Sequence, residues 1–336
     1  MNADWVMAND CSPLSRRIIA ETRLIPAAAA GVQLQLINKR PDDLRHFSPE
    51  RTLMMMHGAT FSSASLFDVA VGGASFMDVL AGAGYDVWAV DARGYGGSTR
   101  PPEMSRPPES AAPLTPARVA VADLRAGIDF VCRHRGVERM GVLGMSWGAT
   151  VAGAVASELG EQVEKLVLVT PLWLSGTPLR IDPGGPLGTY RVVDPNAYGT
   201  AWRAAAPEHE RQALIPDDWF EAWVQATLAT DPNSPAAGTI RAPSGAVQDV
   251  RDHWAVSTPL YDPAAIACPV LVVCAEWDVD VRFDMAHDLF VRLTGTSYKR
   301  LVEIGAGTHM VLMEKNRTQA FDAVVAFLDE HFVPAA

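Results

Sequence analysis

The sequence predicts an α/β protein: a mostly parallel, doubly wound sheet covered by helices on both faces and interrupted by an inserted helical cap. Three observations predict this class. Short runs of continuously apolar residues recur at 52–56, 86–90, 139–143, 165–169 and 269–274, as in strands buried on both faces of a parallel sheet. Segments of helical length lie between most of them, the alternation that gives βαβ units. The alternation then stops from Leu172 to Asp262 and resumes at Pro269. A chain of 336 residues is long enough to bury a large core as one α/β domain carrying an insertion.

Taken in order, residues 1–20 read as an arm or a first helix. Residues 23–26 and 32–38 read as two short strands, the second alternating apolar and polar residues as a half-solvated edge strand does. Residues 39–50, with Pro41 and Pro49, read as a loop. The strand at 52–56 ends in His57-Gly58-Ala59-Thr60, and a helix is expected over 75–84. The strand at 86–90 ends in the glycine-rich turn Asp91-Ala92-Arg93-Gly94-Tyr95-Gly96-Gly97-Ser98. A proline-rich surface loop over 101–116 leads to a helix over 117–135, with Val121, Leu124, Ile128 and Val131 near one face. The strands at 139–143 and 165–169 bracket a helix of small residues at 149–156.

Residues 172–262 hold no buried strand in this reading. Helices are expected near 196–205, 217–229 and 245–256, with Pro216-Asp217-Asp218 as a helix start. The segment carries Trp173, Trp202, Trp219, Trp223 and Trp254. Beyond it come a strand at 269–274, a helix at 284–293, a strand at 298–303 and a closing helix at 318–332. The organisation is therefore a core domain of residues 1–171 and 263–336, with a cap of residues 172–262.

The chemistry centres on Gly144-Met145-Ser146-Trp147-Gly148, which joins a strand to a helix. A serine between glycines at that junction fits a nucleophile elbow, where the hydroxyl must stand clear of a tight turn. A serine hydroxyl needs a base, and the base needs a group that holds its tautomer. In an open parallel sheet such groups gather at the C-terminal ends of the strands. His309, after the last strand and Gly305-Ala306-Gly307-Thr308, is the expected base. Asp278, just past the strand at 269–274, is the expected acid, with Asp280 as the alternative. Two backbone N–H groups should hold a developing oxyanion: that of Trp147, and that of Ala59 with Thr60 as the alternative. His57 reads as support for this second loop. Trp173, just past a strand end, is the cap tryptophan expected to touch a substrate.

These motifs together, Gly144-Met145-Ser146-Trp147-Gly148, His57-Gly58, Asp91 to Ser98, Ala275-Glu276-Trp277-Asp278 and Gly307-Thr308-His309, resemble the α/β-hydrolase superfamily over residues 23–333, apart from the cap. The order Ser, Asp, His is the order of that superfamily. The resemblance implies an eight-stranded core sheet, a lid inserted after the sixth strand, and hydrolysis of esters, lactones, thioesters or amides, or acyl transfer. Serine at the nucleophile position is unlike the epoxide hydrolase and haloalkane dehalogenase branches, which use aspartate. The expected function is hydrolysis of a carboxylic ester of a medium-sized hydrophobic small molecule, with Ser146, Asp278 and His309 as the catalytic set. A lactonase, amidase or acyltransferase would use the same residues. Outside enzymes, the alternative is a small-molecule receptor with a weakened catalytic set.

Composition narrows the partners. The net charge of −11 and the absence of a Lys/Arg cluster argue against nucleic acid. No apolar run is of membrane-spanning length, and the first twenty residues lack an apolar core of signal-peptide length. None of the four cysteines, Cys11 included, sits in a CxxC pair, and Cys132, Cys268 and Cys274 lie in apolar runs and read as buried free thiols. A cytoplasmic setting is expected, with no cofactor and no metal: there is no clustered Cys/His set, and Gly94 to Gly97 lacks the Lys-Ser/Thr of a phosphate loop.

Overall fold

The computed structural model describes residues 16–332. Ten strands run β1 (Ile18–Pro26), β2 (Gln33–Pro41), β3 (Thr52–Met56), β4 (Asp86–Val90), β5 (Met140–Met145), β6 (Val163–Val169), β7 (Tyr190–Val193), β8 (Ile240–Pro243), β9 (Val270–Ala275) and β10 (Lys299–Ile304). Ten helices run α1 (Ser63–Phe67), α2 (Phe76–Gly82), α3 (Ala117–Arg135), α4 (Trp147–Leu159), α5 (Pro195–Ala205), α6 (Arg211–Leu214), α7 (Asp217–Ala229), α8 (Gly245–Asp249), α9 (Phe283–Arg292) and α10 (Arg317–Asp329).

Eight strands form one sheet in the order β1-β2-β4-β3-β5-β6-β9-β10. β1, β2 and β4 pair antiparallel, and every pairing from β4 to β10 is parallel. The central strands are buried along their whole length because alternate side chains feed two cores. Met54 and Met56 of β3, Val142 of β5, and Val270 and Val272 of β9 enter one. Leu53 and Met55, Leu143 and Met145, and Leu271 and Val273 enter the other. This two-sided burial is what the continuous apolar runs anticipate. The outer strand β10 shows the opposite pattern, with Arg300 and Glu303 exposed.

Helix starts follow their sequence signals. The Ser75 side chain caps α2, and Asp78 reaches back to the Ser75 N–H, two orphan groups satisfied reciprocally. Asp217 and Asp218 occupy the first turn of α7, where the helix dipole favours them.

Several expectations need correction. Of residues 1–20, residues 1–15 lie outside the described residues, as does Cys11, and the rest lead into β1 as a strand rather than a helix. β1 and β2 are nine residues each, because each pairs along its length in a hairpin. The segment 172–262 is not purely helical: β7 and β8 pair antiparallel, and β8 is buried throughout. Four-residue strands separated by some fifty residues leave too short a pattern to read. The helix expected over 245–256 is α8 followed by a wide helical turn at Val250–Trp254. Cys274 is buried, but Cys132 and Cys268 are only half-buried. Among the described residues no helix is long and apolar enough to cross a membrane.

The inserted segment has no core of its own. Trp173 and Trp254 join one of the two cores flanking the sheet, and Trp202 and Trp223 join the other.

Candidate active site

Ser146 sits between β5 and α4 with φ 58° and ψ −121°, a conformation that costs a non-glycine residue about 1–3 kcal/mol. Its surroundings enforce it. The Ser146 N–H donates to Val169 O of β6 (2.8 Å), and its carbonyl accepts from Ala149 and Leu172 (3.0 and 3.2 Å). The neighbouring glycines are required by contact. A Cβ on Gly144 would lie 2.1 Å from Gly148 O, and one on Gly148 would lie 2.2 Å from His57 O and 2.4 Å from Met56 O. The helix therefore starts hard against the sheet, with the Ser146 side chain turned outward.

The strand ends bring three side chains into one chain of hydrogen bonds. His309 Nε2 lies 2.8 Å from Ser146 Oγ, and His309 Nδ1 lies 2.8 Å from Asp278 Oδ2. The other Asp278 oxygen accepts from the N–H groups of Asp280 and Val281, both at 2.8 Å. This separates the two aspartates: Asp278 is the one bonded to His309, and Asp280 stands on the cavity wall beside it. The loops after β9 and β10 are tied together by Trp277 N–H to Gly307 O (2.8 Å) and by Ala306 N–H to Glu276 Oε2 (2.8 Å).

Burial works against a charged His309. The Asp278 carboxylate, by its charge and its hydrogen bond, and more distantly Asp280 and Glu314, overcome this and raise the pKa to about 9. Asp278, Asp280 and His309 also bring ligand-type atoms within 4.8 Å of one another. The Asp278 oxygens and both His309 nitrogens are already engaged in hydrogen bonds, so a cation there would have to displace them.

The loop after β3 is clamped from three sides. Buried His57 faces Gly58 O with Nδ1 (2.8 Å), while its Nε2 accepts from the Ala92 N–H (3.1 Å). Nε2 is thus unprotonated, and Nδ1 donates. Burial pushes the His57 pKa down, which keeps this neutral form. The Ala59 carbonyl accepts from Tyr95 Oη (2.8 Å) and Arg191 Nη2 (2.9 Å). These bonds orient the Ala59–Thr60 peptide unit, which carries the Thr60 N–H, while the His57 bond to Gly58 O orients the Gly58–Ala59 unit, which carries the Ala59 N–H. On the opposite side, the Trp147 N–H belongs to the first turn of α4, where N–H groups have no intrahelical acceptor. The Trp147 indole is fixed by Asp249 Oδ2 at 2.8 Å. The glycine-rich turn after β4 is a scaffold: Asp91 accepts from the N–H groups of Ser63 (2.8 Å) and Gly97 (3.2 Å).

Ser146 and His309 open onto a cavity of about 300 Å³. Ala59 and Thr60 line it; Phe61 and Met145 add apolar wall from the core, and Leu172, Ile181, Tyr198 and Trp202 close it from the inserted segment. Trp173 does not line it. Its indole donates to Asp288 Oδ2 (2.8 Å) and its ring lies against Tyr261, so the expected substrate contact is replaced by a packing role. The sequence reading missed Phe61, Arg191 and Tyr198 as wall residues, and among the cap tryptophans it favoured Trp173 where Trp202 lines the cavity. It also missed Glu314. This buried carboxylate accepts from the Thr308 N–H (2.8 Å), from the Thr308 hydroxyl and from Trp202 Nε1 (2.6 Å), and so joins the inserted segment to the loop that carries His309. Burial raises its pKa to about 6. Its place six residues after Thr308 carries no motif that would announce it.

A family model described as the alpha/beta hydrolase fold matches residues 52–315. The chain belongs to the alpha/beta hydrolase family. Membership supports hydrolytic chemistry without naming the bond. Human lipase member N is 30% identical over 135 residues, which make up 39% of this chain and 33% of that protein. The match thus spans about a third of that relative's length. Among solved structures, a serine hydrolase from the polyaromatic-hydrocarbon-degrading bacterium Cycloclasticus zankles has a TM-score of 0.62 at 16% identity, covering 92% of this alpha/beta hydrolase and 98% of that chain. A thermophilic esterase from Thermogutta terrifontis has a TM-score of 0.60 at 17% identity, covering 92% and 98%. The thioesterase domain of the curacin biosynthetic pathway has a TM-score of 0.55 at 18% identity, covering 92% and 99%. Identities this low speak to the fold alone.

Proposed function

We propose that this alpha/beta hydrolase is a serine esterase acting on a medium-sized, largely hydrophobic carboxylic ester. One observation carries the reading: the continuous chain Asp278–His309–Ser146 with both links at 2.8 Å, its serine held outward in a positive-φ turn.

Ser146 Oγ attacks the ester carbonyl carbon as neutral His309 Nε2 takes the hydroxyl proton. Asp278 holds the imidazole with Nδ1 as donor and stabilises the imidazolium that forms. The Trp147 and Ala59 N–H groups receive the oxyanion, with Thr60 N–H as the alternative second donor; one such donor contributes about 3–4 kcal/mol to lowering the barrier. The C–O bond breaks, and the alcohol leaves with the proton from His309. Water then attacks the acyl-enzyme, His309 takes one of its protons, and the acid departs as Ser146 Oγ is reprotonated. No cofactor or metal takes part. Residues 172–262 act as the cap, and its apolar wall supports a hydrophobic substrate body. A cytoplasmic setting is part of the same reading, supported by three free thiols among the described residues.

The test is labelling by a fluorophosphonate probe, in wild type and Ser146→Ala. Labelling of the wild type alone is expected. An unlabelled wild type, or equal labelling of both, would remove Ser146 from the nucleophile role.

A further inference from the structure

Two guanidinium groups line the cavity that holds Ser146, those of Arg180 and Arg191. Arg180 has Asp280 at 4.0 Å. Arg191, on β7, has no carboxylate within 4.0 Å among the described residues. Its Nη2 donates to Ala59 O (2.9 Å) and lies 3.4 Å from Thr60 Oγ1, while its Nε is buried without a hydrogen-bond partner. Burial pushes this guanidinium below its ordinary pKa. A cation left in such surroundings without a counter-charge destabilises the empty protein, and an anion that reaches it recovers that cost. The planar fork of arginine suits a carboxylate, which can accept two parallel N–H bonds.

We propose that Arg191 is the receptor for a carboxylate on the substrate. The preferred ester would then be amphipathic, with a hydrocarbon body against Phe61, Leu179, Ile181 and Trp202 and a free carboxylate at Arg191. A hemiester of a dicarboxylic acid is the simplest molecule of this class. The inference rests on the esterase reading for its chemistry, but the anion site is tested without turnover.

Ser146→Ala protein is titrated by calorimetry with 4-phenylbutyrate and with its neutral counterpart 4-phenylbutanamide. The acid is expected to bind about tenfold tighter or better, as a charge-assisted hydrogen bond implies, and the double variant Ser146→Ala/Arg191→Met to bind the two alike. Acid binding no tighter than the amide, or a preference that survives Arg191→Met, overturns the proposal. In turnover, mono(4-nitrophenyl) glutarate is compared with 4-nitrophenyl pentanoate. The wild type should favour the glutarate ester in kcat/KM, Arg191→Met should lose the preference, and Arg191→Lys should keep part of it. The ratio of the two substrates is the readout, because losing the Arg191 bond to Ala59 slows both. A wild-type preference for the neutral ester overturns the proposal. Carboxylate-selective binding by Ser146→Ala without turnover of either ester by the wild type would count against the esterase reading and leave the Arg191 site standing.

Discussion

Replacing Asp280 with Asn should move the pH dependence of turnover without removing turnover. His309 acts as base only when neutral, and its pKa is raised to about 9. kcat/KM should therefore climb with pH through that region, and at pH 7 only about 1% of the enzyme holds the neutral imidazole. Asp280 contributes to this through space, its carboxylate and the imidazole lying within 4.8 Å. Two unit charges 4.8 Å apart interact by about 0.9 kcal/mol in water and about 1.7 kcal/mol at half that dielectric constant. At about 1.4 kcal/mol per pH unit, that corresponds to a midpoint lowered by roughly 0.6–1.2 units. Arg180, 4.0 Å from Asp280, offsets part of it, leaving about 0.5–1 unit. The assay is pH-stat hydrolysis of a neutral short-chain ester from pH 6 to 10 by wild type, Asp280→Asn and Asp278→Asn. Asp280→Asn should rise earlier to a similar plateau, whereas Asp278→Asn should lose about 10⁴-fold at the plateau, as when the base loses its orienting group. A midpoint unmoved or raised in Asp280→Asn, or a collapse equal to that of Asp278→Asn, would refute the division of roles between the two aspartates.

Two further predictions concern the scaffold. Gly148→Ala places a methyl 2.2 Å from His57 O and 2.4 Å from Met56 O, and neither partner is a flexible side-chain end, so the variant should lose at least about 3 kcal/mol in urea unfolding; near wild-type stability would contradict the tight junction. The Glu314 carboxyl, raised from 4.5 to about 6, ionises in the unfolded chain before it does in the fold. Its contribution to stability is therefore present below pH 4.5 and falls by about 2 kcal/mol as pH rises through 6. Glu314→Gln should flatten that part of the curve in urea titrations at pH 4.5 and 6.5, and an unchanged slope would contradict it.

The core sheet was legible because burial on both faces writes itself as runs such as Thr52-Leu53-Met54-Met55-Met56. The elbow was legible for a related reason: close approach of helix and strand admits only glycine at 144 and 148. Ser146, Asp278 and His309 fall at strand ends, where the topology brings them together, so their chain positions sufficed to nominate them. Asp280 remained open beside Asp278 because only the hydrogen bonds of the turn distinguish the two. The cavity wall was not legible. Arg191 lies in a four-residue strand whose partner is about fifty residues away, and Glu314 reaches Trp202 across more than a hundred residues. Trp173 misled because position next to a strand end says nothing of which way a side chain turns; Asp288 and Tyr261 decide that.

Because the inserted segment divides its tryptophans between the two cores, it should not melt or detach by itself. Trp202 and Trp223 on one side of the sheet, and Trp173 and Trp254 on the other, fasten it to both layers at once. A segment held in this way belongs to the same cooperative unfolding unit as the sheet, and its central amides should exchange with solvent at rates close to those of the sheet. It also resists transplantation. Grafting residues 172–262 onto another scaffold of this fold would strip apolar cover from both cores of the donor and carry across surfaces shaped for neither core of the recipient. Changes in substrate preference are therefore better sought by single substitutions in the wall than by exchanging the segment whole.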